Sequence, residues 1–233
     1  MSDVYPQVAD FTFYGGIYRD VVFVEVENCH FDLLKDGTEA VFVTPHCNGK
    51  PRLDVFPVDM DEDAIVTVEL KDAEGNIVGS AGAKAAEHMD FIIDVKEPHL
   101  WDGMADPYLY TAVAKLVQGE RVVDKVEVSY GYRSFRVDVE TGFWLNGKSV
   151  PLRGVSRHQD RLDKGWAISK EDHKEDMELI KELGANTIRL AHYQHASIFM
   201  ICATKMVLHY GQKYLSSRNS YLQKKQGKIR FFK

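Results

Sequence analysis

Between Glu39 and Val128 the chain alternates apolar and polar residues in short runs separated by turn formers. The runs cover 39–44, 64–70, 76–79, 89–95, 109–116 and 121–128. A period of two is the mark of strands with one face in a core. Glu74-Gly75-Asn76 and Gln118-Gly119-Glu120 stand between consecutive runs and read as hairpin turns. Roughly seven strands in roughly a hundred residues predict an immunoglobulin-like β-sandwich. The Cys–Trp–Cys signature of antibody domains is absent, which excludes that branch. Trp101, Tyr108 and Tyr110 read as packing residues rather than a sugar-stacking platform, because sandwich aromatics usually fill the core.

Beyond Gly142 the pattern changes. Ser149–Ser156 is a short, largely apolar run ending in Arg157-His158, which predicts a buried strand. Ser169, with Asp172 three residues on, has the form of a capping box. Met177, Ile180 and Leu183 recur at helical spacing, and Gly184 is placed to stop the helix. Asn186–Ala191 is a second buried strand, with Arg189 inside it and His192 just after. Strand, helix and strand of these lengths predict a right-handed βαβ unit with parallel strands. In barrels built from such units, polar side chains at the C-terminal strand ends line the active site, where Arg157, His158, Arg189 and His192 fall. A structural hydrogen bond at a strand end is the competing role for each. Two strand ends that each carry an Arg and a His favour the functional one.

The run G-F-x-L-N-G-K-x-V-x-L-R-G-V-x-R-H, the helix, and then N-x-I-R-L-x-H-Y resemble the start of the catalytic barrel of glycoside hydrolase family 2. Ser156 stands where the β-galactosidases of that family usually have Asn, and Gln159 where they usually have an acid. LWDGMADPYLYTAVAKL and VSYGYRSFRV are similar to the sandwich that precedes the barrel in the family. DFTFYGGIYRDVVFVEV, which on its own reads as a loop leading into a strand, is similar to the end of the family's sugar-binding jelly roll. The expected organisation is mainly β with a partial α/β end. Residues 1–28 would be a jelly-roll remnant, 29–136 an immunoglobulin-like sandwich, and 137–196 the first βαβ unit of a truncated TIM barrel.

Composition sharpens this at two points. The net charge of −6 is unevenly spread: from Ser197 onward there are eight Lys or Arg and no acid, so the first 196 residues carry a net −14. Such a shift marks a boundary. Synonymous codons for Ile198–Lys213, read from the third base, spell an amphipathic helix, a turn and a strand ending in an acid. That string resembles the family's continuation, so residues 197–233 are expected to be an out-of-frame or disordered basic tail. A nucleic-acid or membrane-surface tail is the competing reading of its basic and aromatic residues. Cys29, Cys47 and Cys202 are odd in number and lack metal-ligand spacing, which points to free thiols in a reducing compartment. With neither a signal peptide nor a run of about 18 apolar residues, a cytoplasmic protein without a membrane span is expected.

Glycoside hydrolysis uses two carboxyl groups about the scissile bond, about 5–5.5 Å apart in retaining enzymes. The family resembles that retaining case, with both glutamates on later barrel strands. No catalytic acid or nucleophile is therefore assigned among these 233 residues. Asp160, Asp163 and Glu171 read as loop and first-turn helix charges. What the resemblance implies here is supporting chemistry. Arg189 would hold the nucleophile carboxylate, His158 and His192 would contact the sugar, and Asp10 would touch the sugar and a sodium ion. It implies no cofactor held by this segment, with sodium and magnesium as the ions of the full-length family. It also implies a β-galactoside or related saccharide as the partner, often homo-oligomeric assembly, and neither nucleic acid nor membrane. His88, His99, His173 and His195 are given no role. The GGIYRDV and HYQH stretches favour β-galactosidase over β-glucuronidase. This polypeptide alone is expected to be inactive. The alternative function is a non-catalytic immunoglobulin-like carbohydrate-binding or interaction module, which has no evident need for the RGVSRH and IRLAHY pair.

Overall fold

The computed structural model describes residues 12, 14–191, 193–206 and 209–212. After a short pair, β1 (His30–Phe31) with β4 (Pro57–Val58), two antiparallel sheets face each other. One has the order β2 (Val41–Thr44), β3 (Arg52–Val55), β7 (Met89–Ile92). The other runs β6 (Ile77–Lys84), β5 (Ile65–Lys71), β8 (Tyr110–Gln118), β9 (Arg121–Tyr130). Period-two alternation decides what lies between them. Leu53 and Val55 from the first sheet, and Val66, Val68, Leu70, Ala112, Ala114 and Leu116 from the second, are all fully buried in one cluster. Each such aliphatic side chain larger than Ala contributes about 1.5–3 kcal/mol by leaving water.

The predicted runs appear as β2, β5, β6, β7, β8 and β9, with ends shifted by a few residues. The Gly119-Glu120 turn closes a two-residue hairpin between paired Gln118 and Arg121. At the other hairpin Gly75 takes φ +88, and the Asp72 carboxylate accepts from the Asn76 backbone and side chain. Strand β3 lies in PRLDVFPV, whose flanking prolines hide it from a periodicity reading. The DVVFVEV run at 20–26, expected to be a strand, has no ladder partner among the described residues. An extended segment counts as a strand only when another strand pairs with it.

A meander, β10 (Phe135–Asp138), β11 (Gly142–Leu145) and β12 (Lys148–Ser149), follows the sandwich. Asn146-Gly147 turns β11 into β12 with both residues at positive φ, 47 and 79. That is the two-residue hairpin turn that matches strand twist. Asn146 also ties the meander to the sandwich: its amide donates to the Trp101 carbonyl, and its side-chain oxygen accepts from Ser134 N. Trp101 is buried, and Gly131 lies so close that a Cβ there would stand 2.7 Å from Trp101 Cβ.

The α/β end consists of β13 (Gly154–Arg157), α1 (Lys170–Glu182), β14 (Thr187–Leu190), α2 (Ser197–Met206) and β15 (His209–Gln212). β13 and β15 both run parallel to β14, on its two sides. β13 is shorter than the Ser149–Ser156 run. Pro151 carries no N–H for a ladder, and Asn186 takes over the pairing there. Its side chain accepts from Arg153 N and donates to the Pro151 carbonyl. The capping box at Ser169 and Asp172 is present in both directions. Gly184, at φ +70, ends α1 with its N–H on the Lys181 carbonyl while Ala185 N reaches Ile180, a Schellman arrangement. Met177 and Ile180 are buried against Ile188, Leu190 and Phe199. Leu183 is not: as the C-cap residue it turns out of the stripe and is 74% exposed. α2 and β15 fall within the range read as a tail; residues 207–208 and 213–233 of that range lie outside the described residues.

Candidate functional site

The parallel pair β13–β14 divides its side chains between two faces. Val155, Arg157, Ile188 and Leu190 turn toward the helices. Ser156 and Arg189, which are register partners, lie on the opposite face and are exposed. Arg189 is thus on the face that a closed barrel turns toward its interior. The expectation that Arg157 shares that face is corrected by the pleat: adjacent residues of a strand point to opposite sides.

Arg157 is the buried centre of the helix side. Its Nε donates to Asp176 Oδ2 at 2.9 Å, and its Nη2 also pairs with that oxygen. Nη1 stands 3.1 Å from His195 Nδ1 and Nη2 stands 3.2 Å from His173 Nδ1. The guanidinium carbon sits 3.9 Å from the centroid of Phe199. One side chain therefore fastens the end of β13 to α1, to the turn after β14 and to α2. Burial and the neighbouring guanidinium push His173 and His195 down to about 4. Both rings are neutral at pH 7, with Nδ1 accepting from Arg157. His195 Nε2 faces the Ala191 carbonyl at 3.3 Å and carries the proton. Burial also lowers Arg157 below its ordinary value, against the pull of Asp176. His173 and His195, given no role from the sequence, are parts of this cluster.

A second layer of charge surrounds it. Arg161 bonds Asp176 Oδ1 at 2.7 Å, Glu175 at 2.6 Å and Asp172 at 3.2 Å, and Asp176 raises its affinity for the proton. Asp172, the capping-box acid, also receives Lys164 at 2.8 Å, which holds its carboxyl down at about 2. The sequence signal for this network was present but unread. Asp172 and Asp176 stand four apart on one face of α1, opposite two arginines four apart in the chain.

His158 is half-buried beside Tyr193, ring centroids 5.9 Å apart. The Tyr193 hydroxyl accepts from Gln159 N at 2.8 Å, and Gln159 Oε1 accepts from Ala196 N at 2.6 Å. These two bonds staple the loop after β13 to the loop after β14. Gln159 is fully buried in this role. Trp166 closes the arrangement, 4.7 Å from Tyr193 and edge-on to Tyr14 and Tyr18. Asp160 and Asp163 line a shallow cleft with Tyr14, Arg161 and Lys164, and Glu171 is an exposed first-turn charge of α1. Asp10 and His192 lie outside the described residues. Among the described residues no cluster of three or more His, Cys, Asp or Glu is arranged to hold a metal ion. No helix there is long and apolar enough to cross a membrane.

Comparison with known proteins agrees with this layout. Residues 39–133 match the family model described as "Glycosyl hydrolases family 2", and residues 137–208 match "Glycosyl hydrolases family 2, TIM barrel domain". A protein of Bacteroides fragilis named β-glucuronidase is 35% identical over 214 residues, covering 84% of this chain and 30% of its own length. A β-galactosidase of Halalkalibacterium halodurans is 30% identical over 192 residues, covering 81% of this chain and 18% of its own length. Among solved structures, the FMN-binding β-glucuronidase from Facaelibacterium prausnitzii L2-6 is similar at 42% identity and a TM-score of 0.82. That match covers 88% of this chain and 32% of the other. The chain thus spans about a third or less of the length of these relatives. With its sandwich and its first barrel strands both matched, the chain belongs to glycoside hydrolase family 2.

Proposed function

We propose that this segment serves retaining hydrolysis of a β-glycoside, with Arg189 orienting the nucleophile carboxylate and His158 and His192 contacting the sugar. The observation that carries the reading is the position of Arg189. It lies on the face of the parallel sheet turned away from the helices, in register with Ser156. A guanidinium there can hold a carboxylate bidentately and keep it ionised, as a glycosidase nucleophile requires. No carboxylate of these 233 residues is assigned as acid/base or nucleophile. Two sugars are in view. The GGIYRDV and HYQH stretches resemble β-galactosidases, whereas several relatives are named β-glucuronidase, including those at 35% and 36% identity.

The test begins with the 233-residue chain, free of host glycosidases, on chromogenic aryl β-galactoside and aryl β-glucuronide. No turnover is expected, and turnover above the blank overturns the assignment of the catalytic acids to other segments. Sequencing the locus then shows whether a shifted frame past Ile198 continues the barrel. In a longer protein that carries this segment together with the remaining barrel strands, one of the two glycosides should be cleaved with retention. Arg189→Ala should lower kcat by about 10²–10³-fold, the loss typical of removing one preorganised electrostatic partner. Unchanged kcat in that variant removes Arg189 from the site.

A further inference from the structure

We propose that the Tyr14–Arg19 segment is a strap that positions the two loops following β13 and β14. Three contacts carry this. Tyr14 and Tyr18 both pack edge-on against Trp166, at 5.5 and 5.2 Å. Arg19 Nη2 donates to the Gln194 carbonyl at 2.5 Å, which reaches the other loop. Gly165 has φ +54, and a Cβ on it would stand 2.8 Å from the Tyr14 ring, so the loop is shaped to receive that ring.

Trp166 passes the constraint inward. Its ring meets Tyr193, and Tyr193 meets His158 while its hydroxyl holds Gln159 N. The strap therefore grips both loops from outside, one through an indole and the other through a backbone carbonyl. Inside, the Gln159–Ala196 bond holds the same two loops together. Tyr14, Tyr18, Arg19 and Trp166 are positioning residues that need not touch a sugar: the three aromatics act on His158 through Tyr193, and Arg19 holds the second loop at the Gln194 carbonyl. The geometry stands without the proposed function; only its consequence for turnover rests on that reading.

The experiment is amide hydrogen exchange on the 233-residue chain. In Tyr14→Ala/Tyr18→Ala, residues 158–166 and 191–196 should exchange about five- to tenfold faster, while β5 and β8 of the sandwich keep their protection. Tyr14→Phe/Tyr18→Phe keeps the rings and should restore the parent rates. Arg19→Ala should speed exchange at 191–196 more than at 158–166. Unchanged loop exchange in the double alanine variant overturns the strap, and so does equal acceleration in the sandwich. An active longer protein that carries this segment provides a separate readout. If its kcat falls in the alanine pair and recovers in the phenylalanine pair, the strap serves catalysis. If loop exchange responds and kcat does not, the strap stands and its link to the sugar site fails.

Discussion

Replacing Arg157 with Met tests the helix-side cluster directly. The side chain is 7% exposed and bonds Asp176, His173 and His195. Removing one partner of a buried ion pair usually costs about 3–5 kcal/mol, because the other charge is left without compensation. Here Asp176 keeps Arg161 at 2.7 Å and is partly open to solvent. The cost should therefore sit near the low end, about 3 kcal/mol. The substitution also changes the response to acid. The two imidazoles have folded values of about 4 against an ordinary 6.5. A His held neutral by the fold contributes stability above pH 6.5 that is lost as pH falls toward 4, because the unfolded chain takes up the proton first. Each contributes up to about 3 kcal/mol across that window. In Arg157→Met the burial contribution remains and the repulsion from the guanidinium goes, so the slope between pH 6.5 and 4 should be shallower. Native-state exchange of α1 amides, from pH 7 down to pH 4.5, measures both quantities. A loss under about 1 kcal/mol at pH 7, or an unchanged slope in the variant, refutes the account of Arg157 as the centre of this cluster.

Other outcomes follow from single contacts. Ser169→Ala removes the cap of α1 and should cost about 1 kcal/mol in the same exchange measurement, with the sandwich unaffected. Gly131→Ala places a methyl 2.7 Å from Trp101 Cβ and should lower urea stability by about 1–3 kcal/mol. Leu53→Ala opens a cavity between the two sheets and should cost about 2–5 kcal/mol by the same titration.

The sandwich was legible because its strands have one wet and one dry face, so Val66, Val68 and Leu70 print their burial directly into the sequence. The helix was legible through its ends, Ser169 and Gly184. The DVVFVEV run shows the limit of local pattern: alternation states a capacity to pair and cannot name a partner. The direction of Arg157 escaped for a related reason. Gly154–Arg157 carries polar side chains on both of its faces, Ser156 on one and Arg157 on the other, so nothing local fixes its phase, and Arg157 and Arg189 look alike in sequence yet end on opposite sides. The strap contacts join residues more than a hundred and fifty positions apart (Tyr14 and Trp166), a distance at which no local signal operates.

The run from Ile17 to Val26 has one more consequence. Val21, Val22 and Phe23 are each at least 74% exposed, and they are consecutive, so apolar groups project from both sides of an extended backbone. Such a ribbon is suited to the interior of a sheet wetted on neither face. Displayed by itself in water, it is a place for dyes, detergents and misfolded neighbours to adhere. Self-association of this polypeptide is expected to begin there rather than in its well-packed sandwich.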